Sequence, residues 1–409
     1  MGKILIIQVH SGIGGATTSL FQLCSGLKLR GAEVEVLITG GDGPLRIWLE
    51  ENEVKVHLLT GLLSYGHGNG ARTPFWSIPP FRPITDLRKL PSTIKTYRRF
   101  IRENHFDIVY LNTSILWPAA IAAKKEGKKV ITHVREVWYH GFLGLRKRLF
   151  IAITERFSDR IFSLSHFSKS QFQNKDKVHV VYNAVDFSNY DRVTESKATL
   201  RDRLGLEQNL TYVVMMGGAL PHKGGFLFLE AAHVLQKRHK NLAFIILGNI
   251  NAYYPEKAKT ARGIIRSLLV PDPGKKFQQA IKKFNFGKAL ITPGSVRNVP
   301  EWVKAADILV FPATEDHFGR PIIEAGYLKI PAIASDGDTS KELIPNETNG
   351  LLFRNGSEKD FIEKIERLAM NNTLRENMGE AGRKLAEERY SLDKQVDKVM
   401  AVLNELQRD

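Results

Sequence analysis

Thr314-Glu315-Asp316-His317-Phe318-Gly319-Arg320-Pro321-Ile322-Ile323-Glu324 follows an apolar run, Ile308-Leu309-Val310-Phe311, and Pro312. Four consecutive apolar residues bounded by a proline have the length and character of a buried strand. Pro321 suits the first turn of a helix, where its missing N–H costs no hydrogen bond. Glu324 is expected in that first turn, where the helix dipole favours a carboxylate and ligand hydroxyls can donate to it. Asp316 stands at the strand end, the usual place for ligands in parallel α/β sheets. Two acids eight residues apart, on either side of a glycine turn, form a clamp for a hydroxyl-rich ligand. The same residues also fit a capped helix start with surface acids.

Strand, glycine turn and helix recur away from this stretch. Ile4 to Val9 is an apolar run interrupted only by Gln8, the pattern of a parallel strand covered on both faces. His10-Ser11-Gly12-Ile13-Gly14-Gly15-Ala16-Thr17 then leads into an amphipathic helix carrying Leu20, Leu23 and Leu27. Glycines there let backbone N–H groups approach a phosphate at a helix N-terminus. The dinucleotide fingerprint is not met. Thr17 stands at its third glycine, and the strand Val34–Ile38 ends at Thr39 without the acid that holds a ribose, which argues against NAD or FAD. Strands are expected at Ile108 to Leu111, Val130 to Thr132, Arg160 to Leu164 and Val178 to Val181, with a helix from Ala119 to Lys125 and His133 at a strand end. Residues 61–95, rich in Gly and Pro, read as a long irregular loop and an acceptor-side candidate.

Regularity restarts at Tyr212 to Met216, after a polar, linker-like segment from Asn183 to about Leu210 that ends in a short basic helix. Gly217-Gly218-Ala219-Leu220-Pro221-His222-Lys223-Gly224-Gly225 follows, then a helix from Phe226 to His239 and a strand from Leu242 to Leu247. A lysine in a glycine loop before a helix suits phosphate. It lacks the spacing and the Ser/Thr of a P-loop, which argues against nucleotide hydrolysis of that kind. Residues 249–288 are basic and less regular. Strands at Leu290-Ile291 and Ala332 to Ala334, and helices near 358–370, 373–389 and 392–407, complete the chain. Alternating strands and helices with short links predict parallel, doubly wound sheets, and 409 residues suffice for two domains.

Composition narrows the function. Hydrophobic content of 43% and charged content of 25% are ordinary for a globular protein, and no apolar run approaches the roughly 18 residues of a membrane span. The first strand begins almost at once, without the pattern of a signal peptide. The single cysteine, Cys24, rules out an internal disulfide and reads as core; a reducing cytoplasm is the expected compartment. Most of the +16 net charge lies in residues 1–185, which suggests a polyanionic partner, nucleic acid or an anionic membrane surface. No zinc spacing or aromatic-interleaved basic motif supports nucleic acid, so none is expected. Trp138, Tyr139, Phe142, Leu143, Leu145, Leu149 and Phe150, mixed with Arg146-Lys147-Arg148, suggest a membrane-facing helix and a peripheral attachment.

Two Rossmann-like halves, each with a glycine loop, resemble the GT-B architecture, and the motifs resemble those of glycosyltransferase family four (glycosyl transferases group 1). That family carries a Gly-Arg-Leu-x-x-x-Lys-Gly loop, then two Glu eight apart around Phe-Gly and ending in Glu-Ala. Here these read Gly217 to Gly224 and Asp316 to Ala325. Gly14-Gly15, the His133 strand end, Tyr182-Asn183-Ala184-Val185-Asp186 and Tyr390-Ser391-Leu392 extend the match over nearly the whole chain. Gly218 replaces the usual arginine, and Asp316, with Glu315 beside it, replaces the first glutamate.

The resemblance implies an α/β fold of two Rossmann-like, doubly wound parallel-sheet domains facing across a cleft. Residues 1–186 would form the acceptor-side domain and 187–389 the nucleotide-sugar domain, with 390–409 a helix crossing back. It implies a retaining transfer from a UDP- or GDP-linked sugar to a saccharide or lipid-linked saccharide, in surface polysaccharide or glycolipid assembly. No metal and no cofactor beyond the nucleotide-sugar co-substrate are expected, and Asp336-Gly337-Asp338 reads as a turn. Lys223, Gly14, Gly15, Gly217 and Gly218 would meet the diphosphate, with Arg320 standing in for the missing arginine. Glu324 would take the ribose; Asp316 or Glu315, with Phe318 and Gly319, the sugar; His133 would lie near the reacting centre. A sugar-nucleotide epimerase is the alternative enzyme, and a polyanion or nucleic-acid binder the alternative of another class.

Overall fold

The computed structural model describes residues 2–12, 14–63, 88–136, 138, 144–218, 220–250 and 273–408. It divides into two units, Met1–Ala184 with Leu392–Asp409, and Val185–Ser391.

In the first unit the strands are β1 (Ile4–Gln8), β2 (Val34–Ile38), β3 (Lys55–Leu58), β4 (Ile108–Leu111), β5 (Lys129–Val134), β6 (Arg160–Ser163) and β7 (Val178–Val180). They form one parallel sheet in the order β3-β2-β1-β4-β5-β6-β7, with Ile6 opposite both Val36 and Tyr110. Every residue of β1, β2 and β4 is buried, because helices cover both faces. Leu20, Leu23 and Leu27 of the Gly15–Leu29 helix pack on one face with Val396, Val399 and Leu403 of the Leu392–Arg408 helix. Tyr97 and Ile101 of the Leu90–Glu103 helix, with Ala119 and Ala122, pack on the other. Gly26 is where the first and last helices cross: a Cβ there would sit 2.3 Å from Val396 Cγ2. Cys24 is core, its thiol pushed up to about 12 by burial.

Two expectations for this half need correction. Residues 90–95, read as loop, begin the Leu90–Glu103 helix; residues 64–87 lie outside the described residues. The edge strand β3 escaped notice because Lys-Val-His-Leu is half polar. It is held by Glu35, which accepts from Lys3 (2.8 Å) and Lys55 (3.3 Å) and meets His57 Nε2 at 2.6 Å. Burial works against the Glu35 charge, but these partners bring its pKa down to about 2.

The second unit has β8 (Thr211–Met216), β9 (Leu242–Leu247), β10 (Leu290–Gly294), β11 (Ile308–Phe311), β12 (Ala332–Ser335) and β13 (Gly350–Phe353), parallel in the order β10-β9-β8-β11-β12-β13. Val213, Phe228, Phe244, Val310, Phe353 and Phe361 centre one core cluster. The segment 183–210 is not a linker after its first residues. Its Lys197–Leu204 helix carries Arg201, only 6% exposed, which donates to the carbonyls of Ala305, Gln208 and Leu210 and to Asp307 Oδ2 (2.6 Å). Phe187 stacks on Tyr327 at 3.7 Å. A polar composition hid the segment's packing, because one buried arginine gathers four acceptors that the sequence scatters.

Candidate functional site

In an open parallel sheet, a crevice forms where the strand order reverses. That point lies between β1 and β4 in the first unit and between β8 and β11 in the second.

After β8 the chain turns through Gly217 (φ +130°) and Gly218 (φ +59°), makes a short turn at Pro221–Lys223, and enters the Gly225–Arg238 helix through Gly224 (φ +77°). A Cβ on Gly218 would lie 2.2 Å from Asn249 O, and one on Gly224 1.7 Å from Pro312 O. Glycine is therefore required where this loop closes on its neighbours. The Gly217 and Gly218 N–H groups donate to Leu247 O at 2.9 and 3.1 Å. They shape the loop and are not free donors for a phosphate, a correction to the expectation from sequence.

The loop after β11 packs on this turn, with Thr314 N–H donating to His222 O at 3.1 Å. The packing brings Lys223 Nζ to 2.6 Å from His317 Nε2 and 5.6 Å from the centre of the Phe311 ring. His317 Nδ1 is 2.8 Å from Glu315 O. One assignment satisfies both bonds: a neutral imidazole donating through Nδ1–H to the carbonyl and accepting from the ammonium at Nε2. Burial lowers the Lys223 pKa to about 8. Burial first, and the Lys223 charge second, lower that of His317 to about 4. Lys223 makes no ion pair among the described residues.

The two acids of the stretch are differently employed. Asp316 receives the Thr339 N–H at 3.2 Å from each carboxylate oxygen, above Gly337, whose Cβ would lie 2.7 Å from Oδ1. It so caps the Asp338–Leu343 helix, and burial raises its pKa. Glu315 offers its backbone carbonyl to His317. Glu324, 5% exposed, is not in the first turn: the helix begins at Arg320, one turn earlier, and Arg320 Nε donates to Glu324 Oε1 at 2.7 Å. Burial alone would lower the Arg320 pKa, but the Glu324 carboxylate more than offsets it. The buried Tyr190 hydroxyl adjoins the pair. Gly319, the residue before the helix, lies against Phe311, and the Phe318 ring is 6.3 Å from that of Tyr390.

In the first unit, Gly14 and Thr17 bond reciprocally at the start of the Gly15–Leu29 helix: Gly14 N–H donates to Thr17 Oγ1 (2.7 Å), which donates to Gly14 O (2.9 Å). Among the described residues, chain neighbours aside, no atom lies within 4 Å of where a Cβ of Gly12, Gly14 or Gly15 would stand, so their packing does not demand glycine there. His133, 0% exposed on β5, meets the Tyr110 hydroxyl through Nδ1 at 2.6 Å, and its Nε2 has no hydrogen bond among the described residues. Burial first and Arg135 second push its pKa far down, against a smaller pull from the Val181 backbone. Arg135 donates to Asn112 Oδ1 (2.7 Å) and to Asn183 Oδ1, and Asn112 Nδ2 donates to Gln8 Oε1 (2.7 Å). Glu136 accepts from Thr113 Oγ1 (2.9 Å) and from both Ser114 N–H (2.7 Å) and Ser114 Oγ.

Lys223, Phe318, Gly319, Arg320 and Glu324 thus share the β8–β11 end of one sheet, and Gly14, Gly15 and His133 the corresponding end of the other. The sequence reading missed His317 and Arg135 as polar partners. His317 stood in the quoted stretch, but its partner is 94 residues away. Asp336 accepts from Asn355 N–H at 2.9 Å and Asp338 opens a helix, as suits a turn. Among the described residues no three His, Cys, Asp or Glu side chains are grouped to hold a metal, and no helix is long and apolar enough to cross a membrane. Trp138 and Phe150 do not face outward as expected: both are core, Trp138 donating to Ser114 Oγ at 3.0 Å, while Leu149 is 58% exposed. Tyr139, Phe142, Leu143 and the Leu145 side chain lie outside the described residues.

Comparison with known proteins now bears on this arrangement. The family Glycosyltransferase Family 4 matches residues 13–189, and Glycosyl transferases group 1 matches residues 196–385. An uncharacterized glycosyltransferase of Methanocaldococcus jannaschii is 22% identical over 361 residues, 87% of this chain and 91% of that one. The UDP-Gal:alpha-D-GlcNAc-diphosphoundecaprenol alpha-1,3-galactosyltransferase of Escherichia coli is 24% identical over 338 residues, 78% of this chain and 80% of that one. The crystal structure of Anabaena HepE in complex with UDP shares the fold with a TM-score of 0.76 at 19% identity, over 98% of this chain and 100% of the other. Two doubly wound sheets, the glycine loop with its lysine, and two family matches that together take in nearly the whole chain make this protein a GT-B-fold glycosyltransferase related to Glycosyltransferase Family 4 and Glycosyl transferases group 1.

Proposed function

We propose that this glycosyltransferase moves a sugar, with retention, from a nucleoside-diphosphate sugar to a saccharide or lipid-linked saccharide acceptor in surface polysaccharide or glycolipid assembly. The observation that carries the reading is Lys223: a half-buried ammonium, held by a neutral acceptor and paired with no carboxylate among the described residues, at the switch point of a parallel sheet. A charge kept from water without a counter-ion suits an anionic ligand. HepE has been crystallised with UDP and with UDP-glucose, and the E. coli relative is named for a UDP-Gal donor and a diphosphoundecaprenol-linked acceptor. UDP is accordingly our first choice of nucleotide, with GDP second.

In the reaction the bond from the sugar's anomeric carbon to the diphosphate oxygen breaks, and one to the acceptor hydroxyl oxygen forms on the same face. The acceptor proton passes to the departing phosphate. Lys223 meets the charge growing on the leaving group. Glu324 takes the ribose hydroxyls, and Glu315 or Asp316 with the Phe318-Gly319 backbone the sugar. His133 is neutral at working pH, so it is suited to act through Nε2 as a hydrogen-bonding group and not as an acid. Arg320, already bound to Glu324, supports the ribose end as much as the diphosphate.

A panel of UDP-, GDP- and ADP-sugars in EDTA tests this. One donor at saturation should raise Tm by about 5–10 °C and yield acceptor-dependent transfer. No shift with any donor would remove the reading, and turnover of the donor without an acceptor would favour epimerisation.

We also propose that the basic excess of residues 1–185 meets an anionic membrane surface, through charge and not through Trp138 or Phe150. Each Lys or Arg near such a surface contributes about 1 kcal/mol. The full chain should float with phosphatidylserine vesicles at low salt and stay behind with neutral ones; no flotation at low salt counts against the idea.

A further inference from the structure

We propose that His317 is a positioning residue for the donor: its neutral imidazole holds the Lys223 ammonium in place at the β8–β11 crevice before the diphosphate arrives. The inference rests on the donor reading above. Its geometry is closed at both ends. Nδ1–H is committed to Glu315 O at 2.8 Å, so the lone pair on Nε2 is the ring's remaining hydrogen-bonding position, and Lys223 Nζ occupies it at 2.6 Å. The ring cannot easily turn away, since Phe311 lies 5.0 Å from it and His222 6.3 Å. Lysine and histidine come from different loops that are locked together, by the Thr314 N–H to His222 O bond and by the approach of Gly224 to Pro312 O.

The choice of a neutral acceptor has a chemical reason. A carboxylate at position 317 would also hold the ammonium, but it would cancel the charge and repel a diphosphate. Imidazole orients the cation and leaves its charge for the ligand. The groups facing Lys223 are His317 and Phe311 from β11 and its loop, Glu315 through His317, and His222 from its own turn. Burial brings the Lys223 pKa to about 8, so nucleotide affinity should fall as pH rises through that value. Without an acceptor in the same half-buried site the charged form loses a partner, and the fall should come at lower pH. Protonation of His317, near 4, lies outside the range in question.

The test is calorimetric titration of the full chain with UDP, and with GDP if UDP is silent, between pH 6.5 and 9.5. Three proteins are compared: wild type, His317→Leu and His317→Gln, whose amide oxygen restores an acceptor. Loss of a hydrogen bond to a charged group predicts Kd about ten- to a hundredfold weaker in the Leu variant at pH 7, with the fall in affinity moved to lower pH. The Gln variant should stay within about threefold of wild type. Equal affinity and an unchanged pH profile in the Leu variant would overturn the proposal. So would equal weakening in both variants, which would mark His317 as packing alone. If wild type binds neither nucleotide, the donor reading itself fails and takes this inference with it; if it binds and only the His317 effect is missing, the donor reading stands.

Discussion

Lys223→Met is expected to lower kcat/KM for the sugar donor by about 10²–10³ while leaving the chain at least as stable as wild type. The two halves of this expectation come from one fact. Lys223 is half-buried, its partner is a neutral imidazole, and its pKa is drawn from an ordinary 10.5 to about 8. A base whose pKa falls on folding weakens the native state while it is protonated there. Between about pH 8 and 10.5 the unfolded chain binds the proton and the folded one does not, so stability rises with pH across that window. Methionine has a similar length and no charge to desolvate. The variant should lack this rise and melt at or above the wild-type temperature near pH 7. Thermal melts at several pH values, beside steady-state kinetics, check both parts. A variant that is unstable and also inactive would mean that Lys223 serves the fold, and its loss of activity would say nothing of the site.

Glu324→Gln is expected to behave in the opposite way and to lose stability and transfer together. Arg320, with its side chain 24% exposed, would be left without its carboxylate beside the Tyr190 hydroxyl. Removing one partner of a fully buried pair costs roughly 3–5 kcal/mol; partial exposure brings the expected loss here to about 1–3 kcal/mol. Arg320→Met should cost a similar amount. The double variant Arg320→Met/Glu324→Gln should recover much of the stability, because no charge is then stranded, but none of the transfer if Glu324 holds the ribose. Denaturant unfolding of the four proteins gives the coupling, and donor KM gives the role. Full activity in the double variant would assign the pair to the fold alone.

How much of this was legible in the sequence depended on where each interaction lies along the chain. β1, β4, β8 and β11 could be read directly, because strands covered on both faces read as near-continuous apolar runs. These are also the strands that flank the switch points, so both glycine loops and the Thr314–Glu324 stretch were placed correctly. The edge strand β3 carries a weaker pattern, because it is half polar. Glu324 was read one turn too early because Pro321 marked the helix start and Arg320 already belongs to it. The ion pair itself is a local i, i+4 contact. The bond between Lys223 and His317 is not local, and neither residue's type announces the other. Nor could spacing show that the amides of Gly217 and Gly218 are taken by Leu247 O on β9. A glycine-rich loop signals a close approach, and only the fold says whether ligand or backbone makes it.

Calorimetric titration of UDP into wild type and Lys223→Met at pH 7 tests whether the β8–β11 crevice binds the diphosphate of a sugar donor through Lys223. Wild type should bind saturably, and the variant about a hundredfold more weakly or not at all while keeping its melting temperature. Equal binding by both proteins would contradict the account.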